Sequence, residues 1–344
     1  MTEKILEVKN LRKYFPVRGR KGRFIHAVDD VSFSIAKGKT LGLVGESGCG
    51  KSSTARTVIR IYEPDAGQIL LDGVDITRMK TRELFPHRKK MQMIFQDPYA
   101  SLNARMTVRD IIAEPLEAHH VCASKKEEDD RVYAMLERVG LSREHAGRYA
   151  HEFSGGQRQR IGIARAIILR PQLIICDEPI SALDVSIQAQ IVNLLSQLQS
   201  EFGLSYLFIA HDLSMVRYVS DDVGVMYLGK LVEHCAAEEV YRNPLHPYTQ
   251  GLLKSVPQPD PTHRVIDREV AIQGDLPSPI DLPAGCRFQN RCPYAMQQCH
   301  AVEPDLQEVD TGHFVACHLY QAASRQATVL PQEATAPMQT VGMQ

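Results

Sequence analysis

Two patterns of apolar residues divide the chain. Ile5, Leu6, Val8 and Leu11, then Val28, Val31, Phe33 and Ile35, alternate with polar positions as half-buried strands do, over residues 5–11 and 27–36. Leu41, Leu43 and Val44, the run Leu173-Ile174-Ile175-Cys176 and the run 205–209, apolar after Ser205, are short and mostly apolar, which suits strands covered on both faces in a parallel sheet. Helical patterns fill the gaps: residues 53–61, then 154–170 up to the stop at Pro171, and 188–201 with Ile191, Leu194, Leu195 and Leu198 facing inward. Strands alternating with helices predict an α/β fold with a parallel core sheet. Residues 69–76 read as a hairpin on an Asp72-Gly73 turn, so an antiparallel β subdomain is expected beside that core. Between 80 and 150 the alternation breaks. The mixed-charge block 125–131 leads into Val132, Met135, Leu136 and Val139 at helical spacing, ended by Gly140; a helical insertion is expected, as a subdomain over residues 80–170.

Composition shifts only near the end. From Asn243 onward prolines crowd residues 244–283, four of the eight cysteines fall between 286 and 317, and 321–344 is a polar tail expected to be disordered. Residues 1–240 are thus expected as one domain, 241–320 as a small cysteine-rich extension and 321–344 as the tail. Met1 to Asn10 lacks the apolar centre of a signal peptide, and no run approaches the roughly 18–20 apolar residues that span a bilayer, so a soluble or peripheral, cytoplasmic protein is expected. Without secretion, the cysteines read as thiols or metal ligands, not structural disulfides. A formal net charge of −1 gives no electrostatic case for nucleic acid.

The chemistry starts at Gly45-Glu46-Ser47-Gly48-Cys49-Gly50-Lys51-Ser52, which fits G-x-x-x-x-G-K-[ST] between a buried strand and a helix. Glycines let backbone N–H groups turn toward an anion, the helix N-terminus adds about half a positive charge, and a lysine neutralises the outer phosphates. Gly45, Ser47, Gly48, Cys49, Gly50, Lys51, Ser52 and Ser53 are therefore the expected nucleotide contacts, with the Ser52 hydroxyl available to Mg²⁺. Asp177 and Glu178 end the strand begun at Leu173, where an α/β sheet presents ligand-handling groups. Asp177 suits the Mg²⁺ shell and Glu178 a general base, although such a pair can also cap a helix. His211 follows the strand 205–209 and Gln96 follows Met93-Ile94-Phe95; alone, either reads as structural. Ser154-Gly155-Gly156-Gln157 is a capping box whose two glycines, each costing roughly 1 kcal/mol against alanine in a helix, leave N–H groups open for a second anion. One chain has its own phosphate cradle already, so the second is expected to serve a nucleotide held by another chain.

This ordered set, from the loop 45–52 through Gln96, Ser154 to Gln157, Asp177-Glu178 and Ser181-Ala182-Leu183-Asp184 to His211, resembles the ATP-binding cassette ATPases over residues 5–240. The resemblance implies that Lys51 and Ser52 bind phosphate and Mg²⁺, that Gln96 and Asp177 join the metal, and that Glu178 activates water. It implies also that His211 is the switch histidine, that Gln96 links the site to a partner, that Asp184 crosses to the opposite subunit and that Tyr14 stacks on adenine, with Phe15 close behind. Phe153 stands where the family usually has leucine; both are apolar, and little change is expected.

Asn243-Pro244-Leu245-His246-Pro247-Tyr248-Thr249 and Gln96-Asp97-Pro98-Tyr99 to Leu102 resemble the dipeptide and oligopeptide importer ATPases, and the chain is most similar to the second of two paired subunits. The partners implied are a paralogous ATPase in a heterodimer, two transmembrane permease subunits docked near 96–102, and, indirectly, a solute-binding protein. The place implied is the cytoplasmic face of the inner membrane. Nickel and glutathione importers share these features. Cassette ATPases that act on DNA carry coiled coils or basic domains that this chain lacks.

Cys286, Cys292, Cys299 and Cys317, separated by five, six and seventeen residues, match neither the common zinc nor the ferredoxin spacing. Zinc and a [4Fe–4S] cluster both suit four thiolates, with His300, His313 and His318 as possible substitutes; the residues alone favour zinc slightly. The family resemblance favours the cluster.

Overall fold

The structure, a computed structural model, describes residues 3–211, 213–255 and 277–320. The tail 321–344 and the stretch 256–276 of the proline-rich segment lie outside the described residues.

The continuous apolar runs do become strands covered on both faces. Five parallel strands lie side by side in the order Asp222–Tyr227, Thr40–Val44, Ser205–Ile209, Leu173–Asp177 and Met91–Ile94. Their side chains alternate between two cores. Leu41, Leu43, Leu173, Ile175, Leu207 and Ile209 join a core shared with the antiparallel sheet, whereas Val44, Ile174, Cys176, Tyr206 and Phe208 join one shared with the helices. The antiparallel sheet places Lys4–Pro16 between Phe24–Ala36 and Ala66–Leu71, with Val74–Asp75 at its edge. Its first two strands run beyond the alternating stretches, because the pattern marks only their half-buried parts. The basic stretch 18–23 is the tip of their hairpin, closed by the Val17 N–H on the Arg23 carbonyl at 3.0 Å. Asp72 and Gly73 both take positive φ, 51° and 76°, as a two-residue primed turn demands.

Two placements differ from the sequence reading. Residues 80–170 are not helical throughout, since Met91–Ile94 pairs in parallel with Leu173–Asp177 as the edge of the core sheet. Four residues with two methionines give little strand signal. The helical layer proper is built from Val108–Ala118, Lys125–Arg138 and Gly155–Ile167. The cysteine-rich extension, in turn, continues the core sheet: Lys230–Ala236 pairs with Asp222–Tyr227, His313–Val315 pairs with Lys230–Ala236, and Gln307–Asp310 closes that edge. Phe288 of the extension sits edge-on to Tyr227 at 5.3 Å and tilted on Tyr248 at 5.5 Å, all three buried.

Beneath this seam the carboxylate of Glu233 is fully buried. It accepts the backbone N–H groups of Leu245 and His246 at 2.8 and 2.9 Å and meets His313 Nε2 at 2.8 Å. Those bonds hold its pKa below the usual carboxylate range against the opposing effect of burial. His246 caps the helix Pro247–Lys254, its Nδ1 accepting the Tyr248 N–H at 3.1 Å. Burial pushes the His246 pKa down to about 4 from 6.5. The unfolded chain therefore takes up this proton first as pH falls. The stabilisation by neutral His246 is complete above pH 6.5 and is lost as pH drops through 4. We expect the urea midpoint to fall between pH 6.5 and 4, by the equivalent of about 3 kcal/mol. His246→Asn, which keeps a cap acceptor, should show a shallower decline over the same window.

Candidate nucleotide site

The loop after Thr40–Val44 is shaped by what surrounds it. Gly45 and Gly50 take φ of 149° and 110°, and a Cβ would stand 2.3 Å from the Met226 carbonyl oxygen at the first and 2.0 Å from that of Ala27 at the second. Only glycine fits either place. Lys51 starts the helix Lys51–Val58 and is 4 % exposed; its ammonium donates to the carbonyls of Gly45 at 2.7 Å and Glu46 at 3.1 Å. Ser47 and Gly48 face solvent. Cys49 is buried, and burial pushes its thiol pKa up.

The carboxyl ends of neighbouring parallel strands meet at this loop. Ser52 Oγ donates to Asp177 Oδ1 at 2.6 Å, and Arg56 Nη2 stands 3.5 Å from Oδ2 of the same buried carboxylate. Glu178 has φ of 46°, and its N–H donates to Ile209 of the adjacent strand at 3.1 Å. A non-glycine residue in that region carries strain of about 1–3 kcal/mol. Gln96 Nε2 donates to Glu178 Oε2 at 2.7 Å, and His211 Nδ1 lies 4.0 Å from that oxygen with its side chain 57 % exposed. Ser52, Asp177, Glu178, Gln96 and His211 thus form one cluster. Ser53, in the first turn of the helix, is half-buried beside it.

Ser154 to Gln157 open a helix of the helical layer. Ser154 N–H donates to Gln157 Oε1 at 3.1 Å and Gln157 N–H to Ser154 Oγ at 3.4 Å, the expected capping box at the start of Gly155–Ile167. Gly156 also has a packing role that its sequence does not show, since a Cβ there would meet Ile187 Cγ2 at 2.7 Å. At Gly155 a Cβ would find Leu183 at 3.5 Å, an ordinary contact. Phe153 is buried in the helical layer, edge-on to His145. Asp184 is an exposed N-cap of Val185–Phe202 that makes no side-chain cap bond, and Val185 beside it is 78 % exposed. Tyr14 donates to Asp29 Oδ1 at 2.5 Å with its ring centroid 4.4 Å from His26, so it is engaged within the antiparallel sheet. Burial, first, and the Asp29 carboxylate push its pKa up to about 12.

Residues 96–102 are strapped to the capped helix by contacts without any local sequence signal. The Arg158 guanidinium stands over the Tyr99 ring at 4.0 Å, and Arg165 Nη1 donates to the Ser101 carbonyl at 2.7 Å. Beside them a cleft of about 700 Å³ opens between core and helical layer, lined among others by Arg56, Phe95, Gln96, Glu114 and Arg165.

Around the four cysteines the Cys286 N–H donates to the Cys299 carbonyl at 2.7 Å, and the Met296 N–H points at Cys299 Sγ from 3.5 Å. Gly285 has no room for a side chain, as a Cβ would stand 2.2 Å from the Cys299 carbonyl oxygen. Burial, with a smaller contribution from neighbouring cysteines, pushes Cys286 up to about 11 and Cys317 up to about 12. Zinc holds four sulfurs about 3.8 Å apart, from Zn–S bonds near 2.3 Å. Among the described residues, though, the one His, Cys, Asp or Glu trio with ligand atoms all within 4.8 Å of each other is Glu233, Cys235 and His313. The four thiols are spread more widely than zinc requires. Within the trio Glu233 and His313 are already hydrogen-bonded to each other.

A phosphate loop at the head of a parallel sheet, with two acids at the carboxyl end of another of its strands, defines a nucleotide-handling P-loop protein. The model of the ABC transporter family matches residues 28–181, and that of the oligopeptide/dipeptide transporter C-terminal region matches 232–299. The oligopeptide transport ATP-binding proteins AppF and OppF of Bacillus subtilis are 55 % and 56 % identical to this chain, each across 92 % of it and across 98 % and 97 % of their own lengths. A solved dimer of the ATP-binding cassette MJ0796 with ADP and Pi superposes with a TM-score of 0.62 at 26 % identity, over 67 % of this chain and 98 % of that one. The chain belongs to the ABC transporter family, as an ATP-binding cassette ATPase. No helix among the described residues is long and apolar enough to cross a membrane.

The two signature glycines separate packing from backbone freedom. Gly156→Ala should destabilise the fold by about 1–2 kcal/mol through the Ile187 clash, with Ile187→Ala relieving the clash in the double variant. Gly155→Ala should be neutral or stabilising by up to about 1 kcal/mol. Urea unfolding of the three variants measures both effects.

Proposed function

We propose that this chain is the ATP-hydrolysing subunit of a peptide importer, working as a heterodimer with a paralogous ATPase and driving two transmembrane permease subunits that a solute-binding protein supplies. The observation that carries the ATPase part is the meeting of Ser52, Asp177, Glu178 and Gln96 at neighbouring strand ends. The peptide part rests on relatives named for oligopeptide transport and on the match to their C-terminal region.

In this reading Gly45, the N–H groups of residues 47–53 and the Lys51 ammonium hold the phosphates, and Tyr14 stacks on adenine. The donor set of Ser52, Asp177 and Gln96 suits a hard cation that keeps most of its waters. Mg²⁺ held there would withdraw charge from the phosphate oxygens. Glu178 takes the proton of the attacking water, while Gln96 and His211 orient that carboxylate. Strain at φ 46° aims it, because the Ile209 carbonyl fixes the backbone turn.

Ser154, Gly155, Gly156 and Gln157 serve the nucleotide of the partner chain, with Asp184 crossing between them. What supports this is that Ser154 and Gln157 bond to each other and that Val185 leaves an apolar side chain outside. The cassette in the ADP- and Pi-bound relative is dimeric. Permease subunits dock at the cleft beside residues 96–102, and the chain works on the cytoplasmic face of the inner membrane. For Cys286, Cys292, Cys299 and Cys317 we propose a [4Fe–4S] cluster, which takes four thiolates as its ligands.

Glu178→Gln should lower ATP turnover by at least about 10²-fold while leaving ATP affinity near its original value. Single-turnover hydrolysis and equilibrium titration of the same preparation separate the two, and near-normal hydrolysis would remove Glu178 as the base. The peptide assignment is tested in reconstituted complexes, where a peptide-loaded binding protein should raise ATPase activity and nickel or glutathione should not.

A further inference from the structure

The second position of the phosphate loop is an acid. Glu46 sits among groups that receive a polyphosphate, and a carboxylate facing that ligand repels it. Its side chain is instead taken up by Arg291 of the C-terminal extension. Arg291 Nη1 stands 2.6 Å from Glu46 Oε2 and Nη2 stands 2.9 Å from Oε1, a two-pronged pair. The Arg291 side chain is 6 % exposed and lies 5.8 Å from the Tyr227 ring. The backbone is held from the same side, since the Glu46 N–H donates to the Tyr248 hydroxyl at 2.8 Å. The carbonyl of Glu46 then accepts from Lys51 at 3.1 Å, so a chain of polar contacts runs from Arg291 through Glu46 to the buried ammonium.

On the nucleotide-binding reading of this loop, we propose that Arg291 is a positioning residue of the nucleotide site: it cancels the charge of Glu46, turns that carboxylate away from the phosphates, and so makes the extension part of the phosphate loop. The geometry suits no weaker role. A guanidinium that only stapled the extension to the core could do so on any surface carboxylate, whereas this one takes the sole acid within the loop 45–52. Tyr248 fixes the direction of one loop N–H at the same time, which determines the face the remaining donors present.

The test uses the full-length protein and a nonhydrolysable ATP analogue, AMP-PNP, with Mg²⁺ in calorimetric titration. Arg291→Ala should weaken binding about tenfold, because the freed carboxylate then faces the phosphates. Glu46→Gln should bind within about twofold of the original, having no charge to cancel. The double variant Glu46→Gln, Arg291→Ala should recover to within about threefold. A staple alone would instead make the double variant as weak as Arg291→Ala. Either that result or an Arg291→Ala protein that binds within twofold overturns the proposal. Should Arg291→Ala lose its cooperative melt, Arg291→Met, which keeps the stem volume, takes its place in the same comparison. Absence of AMP-PNP binding by the unaltered protein would instead overturn the nucleotide reading on which the proposal stands.

Discussion

A phosphate loop must hold its backbone donors outward, where they cannot satisfy one another, and this chain meets that constraint by clamping the loop from outside. Gly45 is pressed against the Met226 carbonyl and Gly50 against that of Ala27, so the core sheet and the antiparallel sheet each set one end of the loop. Gly229 ties the two together, its N–H on the Cys49 carbonyl at 2.7 Å and its carbonyl accepting the Asp29 N–H at 2.8 Å. Much of the remaining architecture serves to keep these pieces in register. The fully buried parallel strands fix where Met226 lies, and the Lys4–Pro16 and Phe24–Ala36 hairpin fixes where Ala27 lies.

What was legible in the sequence follows from the range of the interaction. Continuous apolar runs, the Asp72-Gly73 turn and the Ser154 capping box are local, and each formed at the residues that carry its pattern. The cluster at the strand ends was legible as well, because the loop motif and the rule that parallel sheets bind ligands at their carboxyl ends together name Ser52, Asp177 and Glu178. Met91–Ile94 was hidden by its shortness and its methionines, and it is a strand only because Leu173–Asp177 offers a free edge. The partners of the loop were hidden for a different reason. Glu46 and Arg291 are 245 residues apart, and neither spacing nor composition relates them.

Gly156 shows how one residue can answer two demands. The sequence gives it a single reason, an open helix start for an anion, whereas the structure adds close approach to Ile187. The two are compatible, since the same missing Cβ lets the helix Val185–Phe202 pack near the capped end and leaves Ser154 exposed. Through that contact the exposed N-cap at Asp184 and the capped helix become neighbours. Arg158 and Arg165 bind the opposite side of the same helix to residues 96–102, which also supply Gln96 to Glu178. The helix and the Gln96–Glu178 pair are thereby joined through one short segment.

The extension closes the circuit from the other side. Arg287, directly after Cys286, pairs with Asp29, the carboxylate that also holds Tyr14; Arg291, directly before Cys292, pairs with Glu46. Two arginines flanking two cysteines therefore reach the antiparallel sheet at Asp29 and the phosphate loop at Glu46. Whatever holds the thiols together restricts the backbone from which both arginines project, and a loosened extension would release a carboxylate into the phosphate loop. A region whose family match covers residues 232–299 thus touches the phosphate loop directly and is built on the same sheet as that loop.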